Sequence, residues 1–171
     1  MKKAYTLFML AREKTMNELL EIEKIKQLKA RYLRGLDTND WETFASTMAA
    51  DCRGRYNGGK LSFDSRDAIV DYMRDNLSGD KILTLHQGHQ PEIEILDASS
   101  ARATWYLQDI VLVLEAGIRL YGSAIYSDVY SKVDGKWLIA ETGYQRVFEA
   151  VEPLGEGHQV TENMFARGGA A

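Results

Sequence analysis

The stretch Arg102-Ala-Thr-Trp-Tyr-Leu-Gln-Asp109-Ile-Val-Leu-Val-Leu114 limits what this chain can fold into more than any other. Its long apolar run reads as a strand. Alternation along a strand sends residues i, i+2 and i+4 to one face. Asp109 therefore shares a face with Trp105, Leu107, Val111 and Val113. A carboxylate among such neighbours is costly to bury unless it is paired or has a task. Asp109 is thus a candidate functional residue.

Upstream the pattern is helical. Ile25, Leu28, Tyr32 and Leu36 form one apolar stripe between Met16 and Leu36, with Glu21, Glu23, Lys24, Lys26 and Arg31 covering the other side. Tyr32 on that stripe suits a core aromatic as well as a functional one. Asp37 lies just past the stripe. The next helix, Trp41 to Met48, has a capping box in Asn39 and Glu42, so Asp37 is free for another role. Cys52 to Asn57 reads as a strand that turns at Asn57-Gly58-Gly59 and continues from Leu61 to Phe63. Ser65 caps a third helix, with Ile69, Tyr72, Met73 and Leu77 expected inward.

After Ser78-Gly79 the chain becomes strand-rich. Segments 82–87, 92–96, 102–114, 118–133 and 137–149 follow one another across turns such as Asp97-Ala-Ser-Ser, Glu115-Ala-Gly and Asp134-Gly135. Helices first and then a meander of long antiparallel strands give an α+β fold, not α/β. The expected architecture is a cone-shaped α+β barrel, with the helices in the concave face of a curved sheet. Residues 16–150 form its single domain, and 151–171 a Gly-rich tail. Met1-Lys-Lys and the short apolar run Ala4 to Ala11 meet Arg12, Glu13 and Lys14 at once, with no small-x-small cleavage site. Residues 1–15 therefore read as a flexible lead, with Met16 a candidate start.

Composition closes several routes. A net charge of −4 without a basic block argues against a nucleic-acid partner. No run reaches the ~18 apolar residues of a membrane span. One cysteine, Cys52, excludes an internal disulfide and suits a reducing compartment. Gly-x-Gly-x-x-Gly, Walker and Gly-x-Ser-x-Gly motifs are absent, leaving nucleotide chemistry and serine hydrolysis without support. His86 and His89 form His-x-x-His, but residues three apart on a strand face opposite ways and cannot chelate together. No metal is expected.

Arg146 repeats the anomaly of Asp109. Its same-face neighbours by strict alternation are Leu138, Ala140, Thr142, Tyr144 and Phe148. An arginine there is either an interior charge or a sign that the inward face reverses near the strand's end. A buried arginine needs a carboxylate, and Asp37 and Asp109 are the candidates. Adding His86 gives one tyrosine, two aspartates, one histidine and one arginine, a set able to do acid–base chemistry without a cofactor beside a carbonyl. Trp105 and Tyr144, aromatics on the same faces, are candidate substrate-binding residues.

Five stretches carry a resemblance: Arg31-Tyr-Leu-Arg-Gly-Leu-Asp37, Asn57-Gly-Gly-Lys-Leu61, His86-Gln-Gly-His-Gln-Pro-Glu-Ile93, Trp105-Tyr-Leu-Gln-Asp109 and Asp134-Gly-Lys-Trp-Leu-Ile-Ala-Glu-Thr-Gly-Tyr-Gln-Arg146. Together they resemble the bile-acid 7α-dehydratases, within the superfamily of scytalone dehydratase, ketosteroid isomerase, SnoaL-like cyclases and nuclear-transport-factor-like proteins. The resemblance places catalytic positions on Tyr32, Asp37, His86, Asp109 and Arg146. It implies a cofactor-free hydro-lyase, acting on a steroid or bile-acid derivative as free acid or CoA thioester. It also implies a cytoplasmic homo-oligomer, trimer or dimer, packed through the sheet's outer face. The connection from Leu114 to Gly122 is shorter than in the bile-acid enzymes, and such loops select substrates. Related cones also act as ketosteroid isomerases, polyketide cyclases, binding modules and dioxygenase β-subunits.

Overall fold

The computed structural model describes residues 2–166, with side chains from Met16 onward. Among the described residues three helices, α1 (Lys2–Asp37), α2 (Trp41–Ser46) and α3 (Arg66–Leu77), pack on one mostly antiparallel sheet. Its strands are β1 (Met48–Tyr56), β2 (Leu61–Phe63), β3 (Ile82–Ile95), β4 (Ser100–Val113), β5 (Ile118–Val133) and β6 (Lys136–Pro153). They lie in the order β2-β1-β6-β5-β4-β3, with β1 parallel to β6 and every other pair antiparallel. This is the expected α+β cone. No described helix is long and apolar enough to cross a membrane.

The predicted stripe on α1 is the helix's buried face. Ile25, Leu28, Tyr32 and Leu36 are all in the core, joined by Leu33. Removing each aliphatic side chain from water contributes roughly 1.5–3 kcal/mol, which docks α1 against the sheet. The helix runs back to Lys2, through the stretch read as a lead, whose side chains lie outside the described residues. At its other end Asn39 adopts φ 55°, a left-handed turn that Asn tolerates after a helix. Asn39 is thereby committed to ending α1. The cap of α2 is Asp40, which accepts from Thr43 N at 3.0 Å, and not the Asn39–Glu42 box expected from the sequence. That helix stops at Ser46, and Met48 already belongs to β1.

Ser65 caps α3 as expected, accepting from Ala68 N at 3.2 Å. Ile69 and Met73 face the core with Val70, whereas Tyr72, expected inward, lies partly exposed against the ring of Phe63. Segments 82–87 and 92–96 are one strand, β3, whose register to β4 shifts between His89 and Glu92, beside Pro91. A proline removes a ladder donor and is tolerated at such irregularities.

The strand β6 departs most from strict alternation. Trp137 and Ile139 face inward, and so do Thr142, Tyr144 and Arg146. The register slips between the pairs Tyr130–Ile139 and Val129–Glu141, so the inward set changes parity at that bulge. A second slip separates Ala124–Arg146 from Ser123–Phe148, and Phe148 turns out to solvent. Of the five neighbours expected for Arg146, Thr142 and Tyr144 remain on its face; Leu138, Ala140 and Phe148 do not.

Candidate active site

Asp37 leaves the end of α1 and meets the free edge of the sheet. Because β3 is an edge strand, its outward N–H groups have no strand partner. Asp37 fills that gap. Its Oδ2 accepts from His86 N at 2.8 Å, and its Oδ1 lies 2.8 Å from Thr84 Oγ1 and 2.6 Å from His86 Nδ1. A carboxylate is acceptor-only, so neutral His86 carries its hydrogen on Nδ1 and presents Nε2 as a lone pair. That is the tautomer a general base needs.

Asp109, predicted as a misfit, is buried at 2 % exposure and is bonded by Arg146 in a two-point fork of 2.6 and 2.7 Å. The two candidate carboxylates thus divide: Asp37 holds His86, and Asp109 holds Arg146. His86 and Asp109 are also direct partners across β3 and β4. The His86 N–H goes to Asp37, which makes them a non-hydrogen-bonded pair, the kind whose side chains approach most closely. The row continues through Gly122 on β5 to Glu149 on β6.

Gly122 makes room for the fork. A Cβ there would stand 3.1 Å from Arg146 Nη1 and 2.7 Å from the Phe148 carbonyl oxygen. Both the strand and the guanidinium would have to shift. We expect Gly122→Ala to lower stability by about 1–3 kcal/mol, the usual cost of overpacking, read as a lower urea midpoint at unchanged slope.

Burial acts against the charge on Arg146, but the Asp109 hydrogen bond and nearby anions outweigh it and hold the guanidinium above its ordinary pKa. Its plane lies over Tyr144, at 4.9 Å from the ring centre. Tyr144 in turn packs against Tyr56 and Tyr126. Deeper still, Tyr32 is fully buried and shares a 2.9 Å hydrogen bond with Tyr56 Oη. Burial, then the neighbouring Tyr56 and Tyr126, push its pKa well up, so Tyr32 remains a protonated donor. Trp105 lies in the core, where its Nε1 donates to Tyr130 Oη at 3.0 Å. His89 is exposed on the opposite side of the sheet from His86, beside Tyr106 and Gln108. Among the described residues no three His, Cys, Asp or Glu side chains converge as metal ligands do.

The structure therefore joins Asp37 to His86 and Asp109 to Arg146, with Tyr144 beside the second pair, and leaves Tyr32 and Trp105 in the core with Tyr56 and Tyr130 as their hydrogen-bond partners. Residues 17–143 match the SnoaL-like domain family. The chain belongs to the SnoaL-like family. Its fold is similar to hexachlorocyclohexane dehydrochlorinase LinA-type3 from Novosphingobium barchaimii, with 18% identity over 86% of this chain and 99% of that one, at a TM-score of 0.74. A putative scytalone dehydratase from Novosphingobium aromaticivorans is 21% identical over 84% and 99%, at 0.73. ActVI-ORFA from Streptomyces coelicolor is 18% identical over 74% and 96%, at 0.63.

Sequence reasoning missed several members of this SnoaL-like site. Tyr56, Thr84, Gly122 and Glu149 were not singled out, and neither was a second buried ion pair. Lys29 and Asp128 are 1 % and 0 % exposed at their side chains, with Nζ 2.8 Å from Oδ2. Lys29 lies on the buried helix stripe, four residues after Ile25 and three before Tyr32. Asp128 alternates with Ala124, Tyr126 and Tyr130 on the inward face of β5. The parity test that exposed Asp109 finds Asp128 as well.

Proposed function

We propose that this SnoaL-like protein is a cofactor-independent carbon–oxygen lyase that removes water from a hydroxylated ketone. The observation that carries the reading is the Asp37–His86 dyad standing directly opposite the pinned Asp109 in the β3–β4 pair. The proposed substrate is a 7α-hydroxy-3-oxo-4-ene steroid or bile-acid derivative, whose enone acidifies the carbon next to the hydroxyl-bearing one.

His86 Nε2 takes that proton, and Asp37 steadies the imidazolium through Nδ1–H. The electrons pass into the enone oxygen and return as the C–O bond breaks. The departing hydroxide takes a proton from the imidazolium and leaves as water, restoring neutral His86. Asp109, fixed by Arg146, orients the leaving hydroxyl. The Tyr32 and Tyr56 hydroxyls use one hydrogen between them, so the other is available to the developing oxyanion. Tyr144 and Trp105 supply the aromatic wall and floor.

Two similar structures are named for eliminations, a dehydrochlorinase and a dehydratase. That supports loss of water over isomerisation or cyclisation. The reading extends to a cytoplasmic homo-oligomer, dimer or trimer, joined through the outer sheet face, where Leu85, Tyr106, Val129 and Phe148 are exposed.

The test incubates the purified protein with 7α-hydroxy-3-oxo-4-ene steroids, as free acid and as CoA thioester. A conjugated-dienone absorbance that grows with the loss of one water is the expected result. Its absence with both forms rejects the steroid substrate, and isomerised product of unchanged mass rejects the lyase.

A further inference from the structure

The row His86–Asp109–Gly122–Glu149 crosses four strands on one face. Glu149 is its outermost member, its side chain 40% exposed. Arg146 reaches over Gly122 and lies between two carboxylates: its terminal nitrogens bond Asp109, and its Nε stands 3.0 Å from Glu149 Oε2. Asp37, with three donors of its own, is a third carboxylate on the same site. Two carboxylates thus flank the one guanidinium, and a third holds His86 at the other end of the row. The C-terminal end of α1, which carries partial negative charge, also ends here.

A substrate carboxylate or phosphate arriving beside His86 would find no uncommitted cation among these residues. It would meet like charges in a partly dry site, where repulsion is weakly screened. Of the three anions, Glu149 alone is well exposed, and it meets Arg146 at Nε, outside the two-point fork to Asp109. We propose that Glu149 sets the charge selectivity of this site, so that it accepts only substrates uncharged at the end that reaches His86. The inference rests on the reading of this face as the active site and adds the substrate class to it. A distant anionic tail that stays in solvent is compatible with it; an anion next to the reacting carbon is not.

The experiment compares two probes of one skeleton, neutral 2-acetylnaphthalene and anionic 2-naphthoate. Binding is followed by NMR through the ring signals of His86, in the native protein and in Glu149→Gln. The expected native result is a shift with the ketone and at least tenfold weaker binding of the carboxylate. Glu149→Gln should tighten naphthoate roughly tenfold, the scale of one partly screened like charge, and leave the ketone within about twofold. Equal binding of both probes to the native protein overturns the selectivity and leaves the site standing. So does an equal gain for both in Glu149→Gln. If neither probe moves the His86 signals in either protein, the reading of this face as a binding site fails, and the selectivity with it.

Discussion

Replacing Lys29 with methionine is expected to cost about 3–5 kcal/mol of folding free energy, the effect of removing one partner from a buried ion pair. Domains of this kind are stable by only about 5–15 kcal/mol, so the variant should unfold at a much lower urea concentration. The ammonium forms an ion pair with Asp128 Oδ2 at 2.8 Å. Tyr130 Oη, at 2.8 Å, and Thr142 Oγ1, at 2.7 Å, also donate to that carboxylate. Ring faces add to that hold: the Lys29 Nζ is 3.5 Å from the centre of Tyr126 and 4.7 Å from that of Tyr32. Burial pulls its pKa down, and Asp128 opposes that pull. Lys29→Met leaves the Asp128 charge buried with two hydroxyl donors and no cation. Lys29→Met with Asp128→Asn removes both charges and keeps a partner for the hydroxyls. The double variant should therefore recover most of the loss, and a urea double-mutant cycle measures the coupling directly.

That pair also marks how far the sequence could be read. Lys29 sits on the stripe that correctly placed Ile25, Leu28, Tyr32 and Leu36, and a lysine there reads as a snorkelling edge residue until Asp128 is set opposite it. Helix period and strand parity give faces; they do not give which strand lies against which helix. For the same reason Asp37 and Asp109 were both recognisable as candidates, while their division between His86 and Arg146 was not. It depends on β3 being an edge strand whose free N–H points to the end of α1. The bulges of β6 were invisible for a different cause. An extra residue changes parity without altering composition, so alternation counted back from Arg146 gave Leu138 and Ala140 as neighbours that the fold turns away. Gly122 carried no signal until the guanidinium above it was in view.

His86→Ala should lower the turnover of a 7α-hydroxy-3-oxo-4-ene steroid by ~10²–10⁴, the usual worth of a positioned acid–base group. The fold should remain. His86 lies at the sheet's edge with 11% of its side chain exposed, and the backbone N–H that docks Asp37 survives the substitution. Urea unfolding close to that of the native protein would separate a chemical loss from a structural one. Added imidazole should restore part of the rate, because the vacated space adjoins Asp37 and leaves a ring nitrogen free. Asp37→Asn tests the other half of the dyad. An amide can turn its NH₂ toward Nδ1, which moves the imidazole hydrogen to Nε2 and removes the lone pair that takes the proton. Its turnover should fall by a similar order, and imidazole should give no rescue, since His86 still fills its place. Native-like turnover in both variants would remove the dyad from the chemistry and leave Asp109 and Arg146 as the groups to account for it.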